Sequence, residues 1–107
     1  MVTPPGWTEA YKAFADGGWV SLPGDEKWGG QGLPEVVSMT ACEIWNAANL
    51  GFGLCPMLSQ GAVDAIESHG TEAMKAMYIP KLVSGEWTGT MNLTEPHAGS
   101  DLGALRT

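Results

Sequence analysis

The chain has 107 residues, with 12 acidic and 5 basic side chains and a formal net charge of -7 at pH 7. That balance excludes the usual nucleic-acid or anionic-membrane binder: both need clustered cations, and Lys12, Lys27, Lys75, Lys81 and Arg106 are scattered singly. Hydrophobic residues make up 44% of the chain, which suits a globular domain with a modest core, because a domain near this length buries only roughly 65% of its unfolded surface.

Residues 1–5, with Pro4 and Pro5, read as a loosely packed arm. Trp7, Ala10, Tyr11 and Phe14 then recur at helical spacing, which predicts a helix over 6–16 with one apolar stripe, stopped by Gly17 and Gly18. From Trp19 to Pro34 the prolines and glycines break every period, so this stretch reads as an irregular connection. Pro34 suits the first position of a second helix running to about Asn49, with Glu35 in its first turn. Val37, Ala41, Ile44 and Ala48 give it a face for packing on a neighbour, and residues 51–53 are expected to end it.

A third helix is expected over 54–69, carrying Leu58, Ala62, Ala65 and Ile66, with His69 at its end and Gly70 beyond it. Thr71 reads as the N-cap of a fourth, with Ala73, Met74, Met77 and Tyr78 on its inner side and Pro80 kinking its last turn. After Ser84 and Gly85 the composition changes. Trp87, Thr88, Thr90, Met91 and Leu93 favour a strand, which leads into the polar loop TEPHAGSD at 94–101. The fold class is therefore mainly α, followed by one strand and a loop.

That loop offers hydroxyls at Thr94 and Ser100, carboxylates at Glu95 and Asp101, and open backbone at Gly99. A glycine admits close approach of a ligand, and successive N–H groups in such a turn hold anions, which suits a phosphate-bearing cofactor. A solvated connection would use the same residue types.

The segment MNLTEPHAGSDLG at 91–103 resembles the acyl-CoA dehydrogenase signature, in which LTEPxAGSD follows the first strand of a β-domain. DEKWGGQGLP at 25–34 and MYIPKLVSGEWTGT at 77–90 resemble further segments of that family in the same order. The wording of MNLTEPHAGSDLGALRT at 91–107 is similar to that of a longer bacterial subgroup that includes methylthiopropanoyl-CoA dehydrogenase-like enzymes. The resemblance implies part of the N-terminal helical domain over 1–85 and the start of the middle β-domain over 86–107. The chain then reads as a fragment of a longer flavoprotein, inactive by itself.

Further expectations follow from the resemblance. It implies FAD as cofactor, contacted by Met91, Asn92, Leu93, Thr94, Gly99 and Ser100, with Thr94 at the flavin pyrimidine edge and Ser100 shared with the acyl-CoA substrate. The implied reaction is α,β-dehydrogenation of acyl-CoA in fatty acid metabolism, with an electron-transfer flavoprotein as acceptor and a homo-oligomeric parent. The family's catalytic carboxylate matches no residue here, so no catalytic residue is assigned. His97 fills the variable position and reads as an exposed loop residue, while Glu95 and Asp101 read as loop ties. Trp7 and Trp45 read as packing residues. Alternatives are a small acidic helical interaction module, an acyl-CoA oxidase or a flavin monooxygenase.

Cys42 and Cys55 form neither a CxxC pair nor a metal-ligand spacing, so they read as buried thiols in a reducing compartment, with no metal site. No apolar run approaches the roughly 20 residues of a membrane span, and the first residues lack the blocks of a secretory signal. The cytoplasm is the expected location.

Overall fold

A computed structural model describes residues 2–106; Met1 of the expected N-terminal arm lies outside them. Helices α1 (Trp7–Asp16), α2 (Glu35–His69) and α3 (Glu72–Val83) are joined by an irregular loop and a tight connection, with short 3-10 turns at Glu26–Trp28 and Leu102–Ala104. The mainly helical expectation holds. Gly6 precedes α1 with φ 84°, and α1 docks through its aromatic stripe. Phe52 of α2 receives Trp7, Tyr11 and Phe14, with ring centroids 6.1, 6.3 and 5.3 Å away, and Phe14 meets Trp45 edge-on at 5.0 Å. The packing roles expected for Trp7 and Trp45 are therefore observed.

Helix α2 is two helical arms joined at Asn49, whose backbone is extended (φ -158°, ψ 94°). The first arm ends at Asn49, where the second helix is expected to end, but residues 51–53 do not make the break: the Asn49 side chain accepts the Phe52 N–H at 3.1 Å and caps the second arm. Gly51 and Gly53 are helical. Gly53 is required for another reason: a Cβ there would collide with the Asn46 Oδ1 that lies against it.

Thr71 caps α3 as expected, its hydroxyl accepting the Met74 N–H at 3.3 Å. The inner face of α3 differs from expectation. Ile79, Leu82 and Val83 are buried and join Val63 of α2 in the core, with Trp28, Ala62 and Ile66 around them. Ala73, Met74, Met77 and Tyr78 face outward. The helix is apolar on both sides, so spacing alone does not pick the buried one. It also runs through Pro80 to Val83 as one element.

The irregular loop closes over the end of α3. Gln31, Gly32 and Leu33 donate their N–H groups to the carbonyls of Ser21, Gly24 and Leu22 at 2.9 to 3.0 Å. Asp25 caps the first 3-10 turn by accepting the Lys27 N–H at 2.8 Å. That bond, then the side-chain bond to Lys27, holds the Asp25 carboxyl below its usual range, and the Asp25 carboxylate in turn raises Lys27. Trp28 Nε1 donates to Glu67 Oε1 at 2.9 Å, tying the loop to α2.

The face expected to pack along the first arm of α2 is largely uncovered: Val37 and Ile44 are exposed, as are Val36, Met39 and Leu50. The radius of gyration, 15.0 Å, exceeds the roughly 13 Å of a compact 100-residue domain. Cys42 and Cys55 are free thiols but half-buried, not buried. Cys42 Sγ accepts from Asn46 Nδ2 at 3.1 Å, and burial pushes the Cys55 thiol up. No described helix is long and apolar enough to cross a membrane.

Candidate functional site

The chain leaves α3 through a turn in which Gly85 (φ 78°) accepts a hydrogen bond from the Tyr11 hydroxyl at 3.2 Å. Trp87 N–H returns to the Lys81 carbonyl at 3.0 Å, and the Trp87 ring lies under the Lys81 ammonium, which also pairs with Glu86. Beyond this point the expected strand is absent. Residues 88–94 have no regular structure, and the single bridge nearby joins Glu95 to Ala98. A strand needs a partner strand to satisfy its ladder, and none among the described residues runs beside this segment.

The TEPHAGSD segment is nonetheless well ordered by its own bonds. Glu95 and Ala98 exchange backbone hydrogen bonds at 3.0 and 3.1 Å around Pro96 and His97. Ala98 is 1% exposed and pins the turn from beneath. The Glu95 carboxylate accepts the Arg106 N–H at 3.2 and 3.4 Å, and the Asp101 carboxylate accepts the Gly103 N–H at 3.1 Å. Both carboxylates thus do the tying expected of them. His97 is exposed and lies 3.2 Å from Glu95 Oε2.

The six residues singled out as cofactor contacts share one property. Met91, Asn92, Leu93, Thr94, Gly99 and Ser100 are all exposed. No hydrogen bond among the described residues engages their backbone N–H groups or the Thr94 and Ser100 hydroxyls. A Cβ placed on Gly99 would meet nothing within 4 Å, so its backbone lies open to approach. The loop therefore presents a run of available donors whose flanks are fixed, a donor set suited to an anionic or carbonyl-rich ligand. No cluster of three metal-ligating side chains occurs among the described residues.

Sequence reasoning missed the contact that fastens this loop to the helices. Gly89 donates its N–H to the Ser59 hydroxyl of α2 at 3.0 Å, thirty residues away. The signal was available in Gly89 itself, since a lone glycine inside a β-favouring run marks close backbone approach.

Residues 3–86 match the family model described as "Acyl-CoA dehydrogenase, N-terminal domain". The chain is 53% identical over 106 residues to 3-methylmercaptopropionyl-CoA dehydrogenase of Ruegeria pomeroyi, covering 99% of this chain and 18% of that protein. It is 39% identical over 99 residues to (2S)-methylsuccinyl-CoA dehydrogenase of Cereibacter sphaeroides, covering 92% of this chain and 18% of that protein. With butyryl-CoA dehydrogenase of Syntrophomonas wolfei it shares 34% over its full length, 17% of that protein. The chain thus spans under a fifth of the length of these relatives. Its helical part matches the family's N-terminal domain along nearly its whole length, and we conclude that the chain belongs to the acyl-CoA dehydrogenase family.

Proposed function

We propose that this chain is part of an FAD-dependent enzyme that dehydrogenates acyl-CoA thioesters, and that residues 91–100 form one wall of its flavin site. The carrying observation is the exposed, unengaged donor set of Met91–Thr94, just before the Glu95 tie, and of Gly99 and Ser100, between the Glu95 and Asp101 ties. This donor set fits the cofactor: the carbonyl-bearing edge of a flavin and its phosphates both accept hydrogen bonds. The relatives' names support the substrate class, since each is an acyl-CoA dehydrogenase.

In this reading Thr94 donates its hydroxyl and N–H to the flavin pyrimidine edge, where fixed donors stabilise the charge that gathers on reduction. Ser100 serves both cofactor and substrate. The chemistry that bound FAD supplies is acceptance of a hydride from the acyl β-carbon. The carboxylate that takes the α-proton lies outside these residues, so the chain's part is to bind and orient. Short acyl-CoA thioesters, including sulfur-containing ones, are the substrates to test first, given the names of the relatives. An electron-transfer flavoprotein is the proposed acceptor.

The domain division at about residue 85, a homo-oligomeric parent and a cytoplasmic location belong to the same reading. The uncovered apolar faces of α2 and α3 favour further chain packed against them.

A native mass spectrum of the product of the full natural gene tests this. A chain several times heavier than 11.3 kDa with bound FAD is expected. A flavin-free chain of about that mass would overturn the reading in favour of an interaction module, and rapid turnover with oxygen in place of the flavoprotein acceptor would indicate an oxidase.

A further inference from the structure

Ser59 is 1% exposed, and a buried polar side chain requires an explanation. Its hydroxyl is used twice: it donates to the Cys55 carbonyl one helical turn back at 3.1 Å and accepts the Gly89 N–H at 3.0 Å. Neither bond serves α2 as a helix, since a serine bonding back to the preceding turn adds nothing that the ladder lacks. The second bond reaches the segment that leads into the candidate flavin loop.

Gly89 is shaped for this contact. A Cβ there would lie 2.8 Å from both the Ala62 Cβ and the Leu58 carbonyl oxygen, and 3.0 Å from the Ser59 Cα. Backbone therefore rests on backbone along the second arm of α2. From Gly89, Thr90 leads directly to Met91, and in the described residues this is the one hydrogen bond joining 88–94 to the helices. Among the described residues no strand runs beside the segment, and its hydrogen-bonded anchor on the helices is Ser59.

We propose that Ser59, through Gly89, is a positioning residue for the flavin-binding loop, aligning the donors of Met91–Thr94 without touching the cofactor. The inference rests on the reading of that loop as a flavin site. Removing the hydroxyl leaves the Gly89 N–H without a partner in a half-buried place, and the segment then shifts or frays to reach water.

The test uses the full natural chain and compares wild type with Ser59→Ala, Ser59→Thr, Gly89→Ala and Thr94→Ala. Amide exchange is measured without flavin, and FAD affinity by titration. In Ser59→Ala we expect faster exchange at Gly89 and across 91–100, unchanged exchange at Ile79–Val83, and FAD affinity weaker by about tenfold. Ser59→Thr, which keeps the hydroxyl, restores both. Gly89→Ala lifts the segment from the other side and reproduces the loss with Ser59 intact, so the proposal survives a Ser59→Ala chain that does not fold.

Unchanged exchange across 91–100 in both Ser59→Ala and Gly89→Ala overturns the proposal. So does faster exchange with full FAD affinity when Thr94→Ala does weaken binding, because the flavin loop is then real and Ser59 does not place it. If neither Thr94→Ala nor Ser59→Ala alters FAD affinity, the flavin reading itself falls and takes the proposal with it.

Discussion

Asn49 Oδ1 accepts the Phe52 N–H at 3.1 Å, so a helix begins anew in the middle of α2. The extended backbone of Asn49 and the bond to the third residue beyond it are the two marks of an N-cap. The bend lets the second arm present Phe52 to Trp7, Tyr11 and Phe14 of α1, so one cap governs where α1 docks. Replacing Asn49 with Ala should lower stability by about 1 kcal/mol, whereas Asp, which also caps, should stay within a few tenths. Urea denaturation of the three proteins checks this. Equal losses in Ala and Asp would show that the side-chain bond is not what holds the bend.

Much of this architecture was legible because it depends on neighbours in sequence. The α1 stripe and the Thr71 cap follow from short-range patterns, and the ties made by Glu95 and Asp101 are expected from the family resemblance. The errors arose where tertiary partners decide. Either side of α3 could have been buried, and the outcome was set by Val63 and Trp28 meeting Ile79, Leu82 and Val83. The helix end near Asn49 was legible but its cause was not: Gly53 serves close packing on Asn46, and the Asn49 side chain makes the break. Strand-forming residues at 87–93 form no strand here because no strand among the described residues lies beside them. The donor run of the candidate site was found through family resemblance, but its attachment through Ser59 joins residues too far apart in sequence for any local pattern.

The loop over 19–34 depends on backbone contact between Gly24 and Gly30. A Cβ on Gly30 would overlap the carbonyl group of Gly24, which cannot swing away as a side chain can. Gly30→Ala should therefore cost about 2 kcal/mol or more through forced backbone movement. Gly61 offers the contrast, since it lies in α2 with nothing within 4 Å of an added Cβ. Gly61→Ala should stabilise by about 0.5–1 kcal/mol, because alanine loses less backbone entropy on entering a helix. Thermal denaturation of both variants should move in opposite directions; a stable Gly30→Ala protein would mean the loop has another closed arrangement.

Tyr11 gives stability a dependence on alkaline pH. Its phenol donates to the Gly85 carbonyl, and burial, with a smaller contribution from Cys55, raises its pKa above the usual 10.0. A raised value in the folded state means that the folded protein favours the protonated phenol. The contribution is fully present below pH 10 and is lost as pH rises through the folded value. Tyr11→Phe should cost about 1 kcal/mol near neutrality by removing the bond. Its stability should also fall less steeply than that of wild type above pH 10. Parallel curves for the two proteins across that range would mean that Tyr11 ionises equally well folded and unfolded.

Glu95 and His97 lie 3.2 Å apart, Oε2 to Nε2, but should contribute unequally. The Glu95 side chain is 16% exposed and its carboxylate accepts the Arg106 N–H, whereas the His97 side chain is 44% exposed. An exposed pair is screened by water and contributes at most about 1 kcal/mol, and His97→Ala should change stability by less than about 0.5 kcal/mol. Glu95→Ala frees a backbone donor from a charged acceptor and should cost about 1.5 kcal/mol. The loss should be local, appearing as faster amide exchange at Arg106 and Ala98 with the α3 core unaffected. If the loop is the flavin wall, FAD affinity in the full chain should fall with Glu95→Ala and hold with His97→Ala. The reverse order would give the histidine a role that its exposure does not suggest, and would place the imidazole, not the carboxylate, at the centre of the loop's design.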